Sequence, residues 1–259
     1  MNELPPLVVT FVFTAFGLVV GSFLNVCIYR LPLRQSIVWP ASRCATCQRE
    51  LSWYENVPVL AWLALRRKCR TCAAPISVIY PVVELVTGGL FAGSYLLYGA
   101  TPLGFVRIAF GCAMIVLFVI DLRHRILPNV ITVTGIPIGF ALSFFLPPGW
   151  RESLIGLLMG GGVLWAIGEA YYRLRGIDGL GMGDVKMLAM IGAFLGWRLT
   201  LVTLIFASFT GALAGGAVLA SGRGGMKAAL PFGTFLAVGA GVAAVAGEQI
   251  FTWYLSLYR

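Results

Sequence analysis

The chain has 259 residues, of which 59% are hydrophobic and 11% are charged, and its mean hydropathy is +0.90. Soluble domains carry about a quarter charged residues, so this composition excludes a water-soluble fold. The 19 Lys and Arg residues outnumber the 10 Asp and Glu residues and give a net charge of +9. Because so apolar a chain has little polar surface, we interpret this charge as a sign of membrane orientation and expect no nucleic-acid partner.

Apolar runs long enough to cross a bilayer divide the chain into about eight predicted spans. They lie near residues 4–29, 76–98, 103–120, 126–146, 153–172, 185–196, 199–220 and 230–256. The first run has no preceding basic residue and no small-residue cleavage site, so we predict a retained helix rather than a signal peptide. The run at 185–196 is short, since a helix of that length extends about 18 Å. The sequence therefore predicts an all-α polytopic membrane protein embedded in a lipid bilayer.

The basic residues predict the orientation of these spans. Eight crossings place the loops at 30–75, 121–127, 173–186 and 221–229 on one side, and these loops hold 15 of the 19 Lys and Arg residues. By the positive-inside rule this side faces the cytoplasm. We predict three parts: a first transmembrane helix at 1–29, a small cytoplasmic loop domain at 30–75 and a seven-helix membrane domain at 76–259.

Four cysteines in the predicted loop domain form two CxxC motifs. Cys44 and Cys47 make the first, Cys69 and Cys72 make the second, and 21 residues separate the motifs. This spacing is typical of a tetrahedral four-thiolate zinc site. Two disulfides or a redox role are the alternatives, although a cytoplasmic loop is kept reduced. A structural zinc ion would stabilise a segment too small to bury much core.

Two aspartates stand at the predicted cytoplasmic ends of helices, at one membrane depth. Asp121 follows an uninterrupted apolar run, and Asp184 follows Gly181 and Gly183. Two carboxylates brought together in a half-dry site do not both ionise readily, and such a pair can activate water and protonate a leaving amine. The glycines would let backbone and an extended substrate approach the pair.

The residues alone leave other roles for these aspartates open. We expect Asp184 to be a helix N-cap, where the helix dipole would favour its ionised form and make it the readier base. Alternatively, the two aspartates serve as helix caps or pair with the nearby cations Arg123, Arg125 and Lys186. A proton-coupled transporter with the two aspartates as a relay is the rival function.

An ordered series of motifs gives the chain a resemblance to the type IV prepilin peptidases, membrane aspartic proteases of the GxGD type. The matching segments are Gly21–Pro32, the two CxxC motifs, Glu55–Leu63, Ile76–Glu84, Ile120–Leu122, Ile126–Asn129, Gly181–Leu188 and Leu230–Ala237. The resemblance implies that Asp121 and Asp184 are catalytic, with Gly181 and Gly183 in the active-site loop. It also implies a bacterial inner-membrane enzyme that removes basic leaders from prepilins or pseudopilins of type IV pilus or type II secretion systems, cutting after glycine.

The same resemblance implies a second activity, methylation of the new amino terminus with S-adenosylmethionine. Members that only cleave tend to lack the cysteine-bearing segment, which this chain has. By family match, the candidates for a substrate or methyl-donor site are Gly21, Ser22, Asn25, Glu84 and Asp178. The sequence fixes neither the position of the donor site nor the oligomeric state.

Overall fold

The computed structural model describes residues 5–176, 181–221 and 230–257. Within these ranges the chain forms eight α-helices and one 3-10 turn at Trp53–Asn56, and its β-structure is limited to isolated bridges. The helices are α1 (Pro6–Arg30), α2 (Leu60–Ala64), α3 (Ile79–Tyr98), α4 (Pro102–His124), α5 (Asn129–Leu142), α6 (Trp150–Arg175), α7 (Met182–Ala220) and α8 (Phe232–Ser256). The predicted all-α class is confirmed.

Six of these helices, α1, α3, α4, α6, α7 and α8, are long and apolar enough to cross a membrane, and α5 is a shorter apolar helix. Helix α7 is interrupted at Gly196, whose φ of 77° and ψ of 170° are not helical. A positive φ of this kind is accessible to glycine without steric cost. The interruption falls where the predicted span 185–196 ends, so the described ranges contain eight apolar helical segments besides the five-residue α2.

The C-terminal end of α4 differs from the prediction. We expected a turn to begin at Asp121, but the helix continues to His124. The N–H of Arg125 still donates to the carbonyl of Asp121 at 2.9 Å, and Arg125 then ends the helix with a φ of 54°. Backbone hydrogen bonds, rather than the end of the apolar run, determine where a helix stops. Asp121 therefore lies inside the helix, near its C-terminal end.

The contacts divide the chain into two compact units, Met1–Val116 and Leu117–Arg259. In the first unit α1 packs on α3, and in the second α7 packs on α5, α6 and α8. Close backbone approach at glycines supports both arrangements: a Cβ on Gly21 would lie 2.6 Å from the Cα of Glu84, and Gly156 meets Gly192 between α6 and α7. The division at 1–29, 30–75 and 76–259 stays a prediction.

The surface of the long helices is apolar. Leu7 and Phe11 on α1 are 83% and 73% exposed, and Ile205 on α7 is 68% exposed. Large apolar side chains in this number are stable on an outer surface only where lipid replaces water. The protein is a multi-pass membrane protein.

Candidate active site and four-cysteine cluster

Asp121 is buried near the end of α4 and is held by the first turn of α8. Asp121 is only 5% exposed. One carboxylate oxygen, Oδ2, accepts hydrogen bonds from the backbone N–H of Thr234 at 2.7 Å and from its hydroxyl at 3.0 Å. The residue that precedes α8, Pro231, provides no side-chain cap. Asp121 thus supplies from another helix the acceptor that an N-cap side chain ordinarily supplies.

Asp184 lies in the first turn of α7 and is half-buried. The N-cap of α7 is Gly181, so our expectation that Asp184 is the N-cap was wrong. The helix begins earlier than the apolar run, because the Asp184 N–H already donates to the Gly181 carbonyl at 3.0 Å. An acidic residue in the first turn still interacts favourably with the helix dipole.

The fold brings the two aspartates together within the unit Leu117–Arg259. The charge of Asp121 opposes the ionisation of Asp184, so the two carboxylates lie within the range of electrostatic interaction. The side chain of Leu127 lies beside them: a Cβ on Gly183 would be 3.1 Å from the Leu127 Cβ, and one on Gly233 would be 2.9 Å from its Cδ1. Because Gly183 and Gly233 have no side chain, the first turns of α7 and α8 can both pack closely against Leu127.

The nearby cations do not pair with the aspartates. Lys186 donates to the Asn129 side-chain oxygen at 3.1 Å. In the described ranges the three ion pairs are Arg43–Glu50, Arg49–Glu55 and Arg173–Glu169, and neither aspartate forms one. This geometry disfavours the alternative in which the two carboxylates serve only as partners for Arg123, Arg125 or Lys186.

Two residues that contact this site, Gly233 and Thr234, were not predicted from the sequence. A Cβ on Gly233 would lie 3.1 Å from Oδ2 of Asp121, beside the hydrogen bonds from Thr234. The available signal was a hydroxyl residue directly after a glycine in an otherwise apolar helix start. Spacing alone could not link it to Asp121, which lies 113 residues earlier.

The four cysteines of the CxxC motifs converge on one point. Their sulfur atoms all lie within 4.8 Å of one another, and those of Cys44 and Cys72 are 3.8 Å apart. Zn–S bonds of about 2.3 Å in a tetrahedron would place sulfur atoms about 3.8 Å apart. A disulfide needs two sulfur atoms about 2.05 Å apart, so two disulfides would group the four sulfur atoms into two separate pairs. The thiol donor set and its geometry fit a single metal ion.

Both CxxC motifs have the same backbone geometry. The N–H of Gln48 donates to the Cys44 carbonyl at 2.9 Å, and the N–H of Ala73 donates to the Cys69 carbonyl at 3.0 Å. Gln48 and Ala73 have φ values of 57° and 56°. Backbone N–H groups of Cys72 and Thr71 also lower the pKa of Cys69 to about 6. Since the thiolate is the metal-binding form of cysteine, this turn prepares a ligand.

A salt bridge supports the cluster from one side. Arg49 donates to both carboxylate oxygens of Glu55 at 2.9 and 2.7 Å, and the Glu55 side chain is 2% exposed. Hydrogen bonds from Arg49 and from the Ser52 N–H lower the pKa of Glu55 to about 2. The Arg49 guanidinium also interacts with Cys69. A cation at this position offsets part of the negative charge of four thiolates.

The candidates Gly21, Ser22, Asn25 and Glu84 lie along the packed faces of α1 and α3. Asn25 donates to the Tyr80 carbonyl at 3.1 Å, and Gly21 permits close helix packing. Glu84 is buried and accepts a hydrogen bond from the Val59 N–H at 2.8 Å. Gly21 and Asn25 thus have structural contacts that account for them. The fifth candidate, Asp178, lies outside the described residues.

Ser22 and Glu84 both form hydrogen bonds to the backbone segment 56–59, which is strained at Val59. The Ser22 hydroxyl donates to the Asn56 carbonyl at 3.5 Å. Val59, which Glu84 holds, has a φ of 61°, and a β-branched residue is rarely found there. Strained conformations of this kind cluster at functional sites.

Comparison with known proteins gives one consistent result. Residues 15–98 match the model of the bacterial peptidase A24 N-terminal domain, and residues 108–216 match that of the type IV leader peptidase family. A protein of Myxococcus xanthus named prepilin leader peptidase/N-methyltransferase is 46% identical over 86% of this chain and 67% of its own length. The chain belongs to the type IV leader peptidase family.

Other relatives with the same name are matched over most of their length. The protein of Burkholderia pseudomallei strain 1026b is 37% identical and is covered over 81% of its length. That of Aeromonas hydrophila is 33% identical over 98% of this chain and 96% of its own. No solved structure matches the chain significantly. Membership of the leader peptidase family thus extends across both compact units.

Proposed function

We propose that this protein is a prepilin leader peptidase and N-methyltransferase, and that Asp121 and Asp184 are its catalytic pair. The observation that carries the proposal is that these two carboxylates, 63 residues apart, interact electrostatically where the starts of α7 and α8 pack beside Leu127, in a chain of the type IV leader peptidase family. The relatives' names state both activities. The comparisons give no support to the proton-coupled transporter that the residues alone left open.

The two carboxylates would hydrolyse the peptide bond without a covalent enzyme intermediate. The ionised carboxylate takes a proton from water as the water oxygen bonds to the scissile carbonyl carbon, and the protonated partner gives its proton to the carbonyl oxygen. The gem-diol then returns a proton to a carboxylate, the C–N bond breaks, and the other carboxyl group protonates the leaving nitrogen. Gly181 and Gly183 would leave room for an extended substrate backbone beside the pair.

The proposed substrates are prepilins or pseudopilins, cut after the glycine that ends a short basic leader. A hydrophobic segment after the leader would remain in the bilayer and reach the pair laterally. Because a helical backbone shields its own carbonyl groups, the scissile bond must unwind locally. We propose that the active site and the cysteine loop face the cytoplasm across the inner membrane, since 15 of the 19 basic residues lie in loops on one predicted side.

Methylation of the new amino terminus requires S-adenosylmethionine as methyl donor. We place the candidate donor site near Ser22 and Glu84, where a buried carboxylate holds the strained Val59. Support for this position is the convergence of polar groups and strain in one place. Asp178 stays a candidate for binding the basic leader.

We propose that Cys44, Cys47, Cys69 and Cys72 hold a structural Zn²⁺ ion. The four sulfur atoms offer the donor type and spacing that tetrahedral zinc prefers. The ion would crosslink two turns that lie 25 residues apart and would have no role in the hydrolytic steps.

Cleavage of a purified prepilin by the purified protein in detergent or liposomes tests the proposal. We expect Asp121→Asn and Asp184→Asn each to reduce cleavage by at least about a thousandfold, because each removes one of the two required proton carriers. Glu169→Gln is the matched control, since Glu169 pairs on the surface with Arg173. Undiminished cleavage by either aspartate variant would exclude the two-aspartate mechanism.

Transfer of a labelled methyl group tests the proposed N-methyltransferase activity separately. With labelled S-adenosylmethionine, the amino terminus of the cleaved product should acquire label. A cleaved product without label would restrict the protein to a peptidase.

A further inference from the structure

The start of α8 provides two hydrogen-bond donors to a single oxygen of Asp121. Both come from Thr234, the third residue of the helix: its N–H lies 2.7 Å and its hydroxyl 3.0 Å from Oδ2. Thr234 is 6% exposed, so water competes little for these contacts. Hydrogen bonds to an ionised acceptor are short and strong, and two of them fix both the position and the rotation of the carboxylate.

The residue before Thr234 makes this approach possible. A Cβ on Gly233 would meet Oδ2 of Asp121 at 3.1 Å and two atoms of Leu127 at 2.9 and 3.1 Å. Only a residue without a side chain lets the helix start come so near without displacement of its neighbours. The contact between Thr234 and Asp121 is therefore built by two consecutive residues.

The two aspartates differ in the hydrogen bonds that their carboxylates accept. In the described ranges, which omit 177–180, no hydrogen bond reaches the Asp184 carboxylate, whereas both on Asp121 fall on Oδ2. The positive charge of Arg125 favours the ionised form of Asp121, whereas the charge of Asp121 opposes the ionisation of Asp184. Asp184 interacts with the dipole of α7, but direct hydrogen bonds to a buried carboxylate are stronger than that interaction. Two hydrogen bonds to Oδ2 stabilise the ionised form of Asp121, and the Asp184 carboxylate receives none from the described residues.

We propose that Thr234 is a positioning residue for hydrolysis: it holds Oδ2 of Asp121, so that Asp121 acts as the base through Oδ1 and Asp184 is the proton donor. This inference rests on the proposed peptidase function. It reverses the expectation from sequence, in which Asp184 was the readier base. Thr234 itself does not touch the substrate, and it acts through the orientation and charge of Asp121.

Steady-state cleavage of a purified prepilin by hydroxyl variants tests this role. Thr234→Val keeps the shape and the N–H but removes the hydroxyl, and we expect kcat to fall about tenfold, the value of one hydrogen bond to a charged group. KM should stay within about twofold, since the contact orients the base rather than the substrate. Thr234→Ser keeps the hydroxyl and should retain kcat within about twofold of wild type.

A second threonine is the matched control. Thr203 is buried on α7 and its hydroxyl donates to a carbonyl of its own helix at 2.8 Å, so Thr203→Val should leave kcat unchanged. Thermal unfolding of each variant separates misfolding from loss of orientation. A wild-type kcat in Thr234→Val, or an equal fall in Thr234→Ser, would overturn the positioning role even if Asp121→Asn is inactive. Full cleavage by Asp121→Asn would instead overturn the proposed function.

Discussion

The four-cysteine cluster and the aspartate pair are both assembled from distant residues, but by different means. Each CxxC turn makes its own backbone hydrogen bond and points two sulfur atoms at a common centre, so most of the cluster geometry is local. Asp121 is positioned by a helix start that follows it by 113 residues. A site built from local turns can be recognised by spacing, whereas a site built from helix packing depends on contacts that no spacing encodes.

After the inactivation expected for either aspartate variant, the largest expected effect is the loss of the proposed zinc ion from the cysteine cluster. Cys69→Ser should lower zinc affinity by more than about a hundredfold, because three thiolates do not complete the tetrahedral shell. Elemental analysis and chelator competition measure the affinity. Limited proteolysis should then cut within 31–78, while the helices of Leu117–Arg259 stay resistant, since their packing does not depend on the ion.

Cys112→Ala is the control for this change, because Cys112 lies in α4 outside the cluster. Its zinc content should equal that of wild type. An unaltered zinc content in Cys69→Ser would contradict a four-cysteine site.

A smaller effect is expected from one methyl group at the start of α8. Gly233→Ala places a Cβ 3.1 Å from Oδ2 of Asp121 and 2.9 Å from the flexible end of Leu127. Leu127 can move, but the hydrogen bonds from Thr234 should lengthen, and kcat for prepilin cleavage should fall about three- to tenfold.

The matched control lies on the same helix. A Cβ on Gly241 meets nothing within 4 Å, so Gly241→Ala should keep full activity and raise stability by about 0.5–1 kcal/mol. Equal activity of the two alanine variants would show that the α8 start tolerates displacement from Asp121.

The smallest expected effect concerns the salt bridge beside the cysteine cluster. The folded-state pKa of Glu55 is about 2, below its ordinary 4.5, so its contribution to stability is complete above about pH 5 and is lost as pH falls toward 2. At neutral pH, Glu55→Gln should make hydrogen exchange at the Ser52 N–H about two- to threefold faster than in wild type, because the amide oxygen still accepts a hydrogen bond. This difference should shrink between pH 5 and 2.

Acid also releases zinc from thiolates, so the zinc content of wild type and Glu55→Gln is measured at each pH, and the two are compared only where it is equal. Glu50→Gln is the control, because Glu50 is 61% exposed in its pair with Arg43 and such pairs contribute little. A difference between wild type and Glu55→Gln that persisted unchanged at pH 2 would contradict the role of the ionised carboxylate.

The apolar runs predicted the helical segments well, and the errors lie at their polar ends. Helix α4 passes Asp121 and α7 begins before Asp184, because backbone hydrogen bonds continue a helix beyond the apolar core. The break at Gly196 was visible as the end of a short apolar run, but its positive φ was not. Hydropathy reports which residues prefer lipid, not where a hydrogen-bond ladder stops.

The sequence by itself determined the membrane class, the two CxxC motifs and the two aspartates, because composition, local spacing and isolated charges in apolar runs are readable along one chain. Only the tertiary structure decided that Thr234 binds Oδ2 of Asp121, that Gly233 permits this approach and that Arg49 joins Glu55 beside Cys69. These contacts depend on which helix faces and loop turns meet. The physical reason is that hydrogen bonds and close packing act over a few ångströms in space, at any separation in sequence.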